Sequence, residues 1–194
     1  MRSILSSCTP RKDILEGTFN PEIFTASLSQ VVDFYRGKPG IIHSLYTDGL
    51  LFFQDATYPT DNLKLIFADV FRRLAGDNAA PAIHRLETAF GGGKTHILIG
   101  LIHLGFKGRE LAATVKEIVD PEILPEPGSI QVVGIAGEEL PVHKPMGKAL
   151  LPYTIWGEIA YQIGGENLYR QVETQASTYA APGQDINDTV FQGR

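Results

Sequence analysis

At 194 residues with 43% hydrophobic content, the chain is long enough to bury a core, which excludes a disordered tail. The formal net charge is -5, and residues 1–97 balance ten basic against ten acidic side chains while the remainder carries seven against twelve. That balance argues against nucleic-acid binding by bulk electrostatics, and the single cysteine, Cys8, excludes an internal disulfide and a cysteine-based metal cluster within one chain.

The N-terminus "MRSILSSCTPRKDILEG" has no apolar run suited to a signal peptide, and nowhere do about eighteen apolar residues follow one another without charge. A cytoplasmic location is expected. Ser27 with Gln30 matches a short capping box, which predicts a helix over "SQVVDFYRG" that Gly37 and Pro39 end. A longer helix is predicted after Tyr58-Pro59-Thr60, where Thr60 offers the N-cap. There Leu63, Ile66, Phe67, Val70, Phe71 and Leu74 recur at helical spacing until Gly76.

"AIHRLETAF", residues 82–90, is a mediocre strand by pattern alone and gains its prediction from the apolar helix after it. That helix, "THILIGLIHLGFKG", is apolar nearly all round, as one buried between a sheet and a neighbouring helix would be. "RELAATVKEIVD" predicts a further helix stopped by Pro121, and "PEILPEPG" a surface connection. The β-branched run from Ile130 to Ile135 predicts a central parallel strand. "YTIWGEIAYQIGG" predicts a helix ending in two glycines, with a more polar one after it. The order helix, strand, helix, strand, helix implies an α/β layer with a parallel sheet. With only two convincing strands, the chain is expected to be a fragment of a longer protein.

Between the first strand and the apolar helix lies "TAFGGGKTH", residues 88–96. Gly93, Lys94 and Thr95 fit the end of a phosphate-binding P-loop, although Thr88 stands where that pattern has its first glycine. Gly91, Gly92 and Gly93 allow backbone N–H groups to converge on an anion at a helix start. Lys94 would then reach the β- and γ-phosphates, and the Thr95 hydroxyl would ligate Mg²⁺. The bland alternative is a glycine-rich turn with a surface lysine. His96 and His103 share a helix face seven positions apart, which suits core packing better than metal binding because the i, i+4 pairing is absent. Glu87 could order the loop or orient a water, and is at least as well read as a surface carboxylate. Tyr58 and Phe53 could line a base pocket or simply pack in the core.

The ordered set "GTFNPEIFTASLSQV", "FFQDATYPT", "FGGGKTH" and "TIWGEIAYQIGG" spans nearly the whole chain. It resembles the N-terminal part of a family of large bacterial and archaeal P-loop ATPases, long classed as a domain of unknown function and related to AAA-type ATPases. That family occurs in gene clusters with adenine-specific DNA methyltransferases and is implicated in anti-phage defence. The resemblance makes Thr88 ordinary and implies ATP and Mg²⁺ as cofactors, with Gly91, Gly92, Gly93, Lys94, Thr95 and His96 at the nucleotide and Thr95 on the metal. It implies a truncated three-layer P-loop sandwich: an N-terminal helical segment over 1–57, then a partial ATPase core over 58–194 that stops before the Walker B strand. Hydrolysis would need the missing part, so no catalytic residue is assigned. A methyltransferase or nuclease of the same cluster is the implied partner, and the full-length parent is expected to be a homo-oligomer. The alternatives are an interaction module with a vestigial phosphate loop and, further off, a small-molecule kinase.

Overall fold

The computed structural model describes residues 8–10, 12–19, 27–38, 40, 42–87, 91–137, 143–146, 149–152, 154–186 and 188. Among the described residues the helices begin with a single turn, α1 (Lys12–Leu15), followed by α2 (Leu28–Tyr35). The Ser27 side chain accepts from the Gln30 N–H at 3.4 Å, satisfying one of the donors that a helix start leaves without an internal partner. Val31 and Val32 are the buried face of α2. Two short turns, α3 (Ser44–Thr47) and α4 (Gly49–Leu51), run into a π-helical stretch over Phe52–Ala56 that buries Phe52 and Phe53.

The first long helix is α5 (Asp61–Leu74), opened by the Thr60 hydroxyl accepting from the Leu63 N–H at 3.3 Å. Leu63, Phe67 and Phe71, one turn apart, face inward. The second is α6 (Lys94–Lys107), which buries Ile99, Ile102, His103 and Leu104. Gly100 lets α6 approach α5 closely, since a Cβ there would lie 2.6 Å from Phe67 Cζ. Side chains from α2 through α6 and from Leu111 to Leu124 form one hydrophobic cluster, drawn from both sides of the expected boundary at residue 57.

The expectation of an α/β parallel-sheet sandwich is overturned, because neither predicted parallel strand forms. Residues 82–87 carry no ladder, and Ile83 is 88% exposed; residues 88–90 of the same prediction lie outside the described residues. Residues 131–136 also carry no ladder. The physical reason lies in where their backbone hydrogen bonds go. A strand needs a neighbouring strand's N–H and C=O groups, and Gly134 instead meets a side-chain amide: Gln162 Oε1 accepts from its N–H at 3.1 Å and Gln162 Nε2 donates to its carbonyl at 2.8 Å. Among the described residues the sheet is an antiparallel hairpin, β1 (His143–Met146) with β2 (Ala149–Pro152), paired His143↔Pro152 to Met146↔Ala149. The remaining regular elements among the described residues are helices.

The predicted helix over 109–120 is also corrected. It breaks into a 3-10 turn (Gly108–Leu111), a four-residue α7 (Ala112–Val115) and turns, while Pro121–Ile123 forms another 3-10 turn. Gly108, at φ 45°, ends α6, and the Arg109 side chain donates to the Leu124 and Glu122 carbonyls, folding the proline-rich connection back.

The long helix α8 (Ile155–Thr178) starts with the Thr154 hydroxyl accepting from the Gly157 N–H. Non-helical backbone at Gly164 and Gly165, the latter at φ 65°, divides it in two where the glycine pair predicts. Gln162 sits on the first half, held by its Nε2 donating to Glu158 Oε1 at 2.7 Å, and Arg36 of the α2 cap donates to its carbonyl at 2.8 Å. No helix among the described residues is long and apolar enough to cross a membrane.

Candidate functional site

The glycine run forms a tight turn directly before α6. Gly91 and Gly93 have φ of 79° and 77°, left-handed backbone that residues with a Cβ adopt only with strain. Gly93 is the N-cap of α6, and its carbonyl accepts from the Ile97 N–H at 3.0 Å, the first bond of the helix. As a glycine it offers the helix start no side-chain hydrogen bond. Among the described residues, a Cβ at Gly91 or at Gly93 would meet nothing within 4 Å. Gly91, Gly92 and Gly93 are all exposed. The turn thus points backbone N–H groups and the positive end of a fourteen-residue helix toward solvent, a geometry suited to an anion.

Lys94, half-buried, and Thr95, exposed, are the first two helical residues; Thr88 lies outside the described residues. The described residues contain no group of three or more His, Cys, Asp or Glu side chains placed to hold a metal ion. Glu87 pairs with the Arg85 guanidinium on an exposed stretch of chain.

His96 is half-buried behind the turn, stacked on Phe52 with ring centroids 4.4 Å apart, and its Nε2 lies 2.9 Å from the Thr57 hydroxyl. Burial pushes its pKa down. His103, on the same face, lies 5.0 Å from Phe52 and is fully buried, with Nδ1 2.6 Å from the Tyr35 hydroxyl. Burial pushes its pKa down to about 4 and pushes that of Tyr35 up. The core reading of His103 therefore holds. Of the two aromatic candidates, Phe53 is core, 6.2 Å from Phe67, whereas Tyr58 is 81% exposed.

A family model of the DUF499 N-terminal domain matches residues 5–194. The chain belongs to that family. The DUF499 N-terminal domain is a domain of unknown function, so membership assigns neither an activity nor a ligand. No curated protein matches the chain, and no solved structure does. For this DUF499 domain, then, function rests on its own residues. Sequence reasoning missed Thr57 and Phe52, which sit behind the loop; the signal available was their place beside Tyr58-Pro59, with nothing in it to indicate His96 as their neighbour.

Proposed function

We propose that the chain binds a nucleoside triphosphate with Mg²⁺, ATP first among candidates, through the turn 91–93 and the first residues of α6. One observation carries this reading: two left-handed glycines lie at the start of a long helix whose N-cap, Gly93, contributes no side-chain hydrogen bond to it. The backbone N–H groups of the first turn would hold phosphate oxygens, Lys94 would add a point charge, and the Thr95 hydroxyl would be the protein's ligand to Mg²⁺. The metal would supply charge neutralisation between phosphate oxygens. His96, tied back to Thr57 and Phe52, would serve the site by holding the helix start in place.

On this reading the domain is the nucleotide-binding part of an AAA-like ATPase of a DNA-modification or phage-defence system, with turnover depending on other parts of such a protein. Calorimetry with ATP-Mg²⁺ on this chain and on Lys94→Ala tests the site. Binding lost in the variant is expected; retained affinity refutes the assignment.

A second reading, a docking module for a methyltransferase or nuclease of the same system, has one observation in its favour. A cleft of ≈ 340 Å³, lined by apolar side chains including Leu74, Leu98 and Val132, lies open beside α5 and α6. A pull-down with purified candidates that recovers none of them counts against it.

A further inference from the structure

The Thr57 hydroxyl has two neighbours and one proton. It donates to the Phe52 carbonyl at 2.8 Å, and it lies 2.9 Å from His96 Nε2. A carbonyl cannot donate, so the proton of Thr57 is committed, and the bond to the ring requires that Nε2 carry a hydrogen. Burial favours the uncharged ring, and with Nε2 protonated that form has Nδ1 as a bare acceptor within the first turn of α6. The ring is held from a second side by Phe52, at an interplanar angle of 26°, and Phe52 is fully buried and edge-on to Phe53 at 5.3 Å. Phe52 and Thr57 bracket the π-helical stretch, an irregularity that recurs where a helix serves a site.

We propose that Thr57 is a positioning residue for the glycine turn: it fixes His96 in the Nε2-protonated tautomer and so locks the start of α6 against the π-helical stretch. This rests on the phosphate-binding reading of the same turn. Its consequence is that residues 52–57, thirty-nine or more positions before His96 and outside the glycine motif, set how well the first-turn N–H groups are aimed.

The Thr57→Val variant keeps the β-branched shape, and the backbone there, at φ -107° and ψ 118°, suits valine. The variant loses the hydroxyl's bonds to Phe52 and His96; ATP-Mg²⁺ affinity by calorimetry is expected to fall about tenfold, the worth of the bond to His96, and Thr57→Ser is expected to restore it. In a His96→Phe background, Thr57→Val is expected to change affinity by less than about twofold, because the effect runs through the ring. The imidazole ¹⁵N signals of His96 in the wild-type chain are expected to show a protonated Nε2 and a bare Nδ1. A protonated Nδ1 with bare Nε2 overturns the proposal, and so does unchanged affinity in Thr57→Val while Lys94→Ala abolishes binding. Retained binding in Lys94→Ala overturns the phosphate reading itself, and this inference with it. If Thr57→Val does not fold, the ¹⁵N signals of the wild type and the affinity of Thr57→Ser decide.

Discussion

Replacing Gln162 by leucine tests the device that stands where a β-ladder was predicted. Its amide makes three hydrogen bonds, two to the backbone of Gly134 and one to Glu158, at 2.7–3.1 Å. Leucine has a similar volume, so packing changes little and the loss is polar. Each partly buried backbone group left unpaired costs about 1 kcal/mol, at the low end for such groups, and the bond to the Glu158 carboxyl adds about 1 to 2 kcal/mol. The sum is about 3 kcal/mol, which for a chain of this size lowers the melting temperature by about 6–12 °C. Urea denaturation should show a lower midpoint at unchanged m, and amide exchange at Gly134 should accelerate in Gln162→Leu more than at Ile99 in the core of α6. A midpoint equal to that of the wild type, or a Gly134 amide that exchanges freely in the wild type, would refute the clamp.

Two further outcomes are expected. Because burial depresses the pKa of His103 to about 4, the unfolded chain binds more protons than the folded one between about pH 6.5 and about pH 4. Stability is therefore whole above the unfolded pKa and falls as pH drops through this window. The fall is on the order of 3 kcal/mol, with His96 contributing in the same direction; urea midpoints across that window in wild type and His103→Gln should differ in slope, and equal slopes contradict the assignment. Gly93→Ala should cost about 1 kcal/mol, the strain of a left-handed residue and no more, because its Cβ meets nothing within 4 Å. Urea denaturation showing a loss above about 3 kcal/mol, or any gain, would mean that the turn is differently built.

What the sequence made legible was local. The Thr60 cap and the inward triplet Leu63, Phe67, Phe71 are read from spacing alone because a helix satisfies its own backbone. The break at Gly164 and Gly165 is equally local, as is the left-handed turn at Gly91 and Gly93. Ile130 to Ile135 misled because β propensity reports fit to a pleated, half-buried surface, and such a surface can be met without a ladder. Val132 packs against Gly105, where a Cβ would lie 2.6 Å from Val132 Cγ2, so the apolar side chains found their burial on a helix. The pairing of Thr57 with His96, thirty-nine positions apart, left no trace in either neighbourhood.

The glycine break in α8 also bears on how the chain acquires its structure. Beyond Gly165 the helix turns back, so that Gly157 comes to lie beside Tyr169 and Ala176, and Ala160 packs with Val172. These contacts close only short loops, for which the entropic cost is small and closure takes on the order of 100 ns. The core around α6, by contrast, joins Tyr35 to His103 across sixty-eight positions. Low sequence separation thus favours early closure of the α8 hairpin, which carries the Gln162 amide and the carbonyl that accepts from Arg36, over the longer-range contacts of the core.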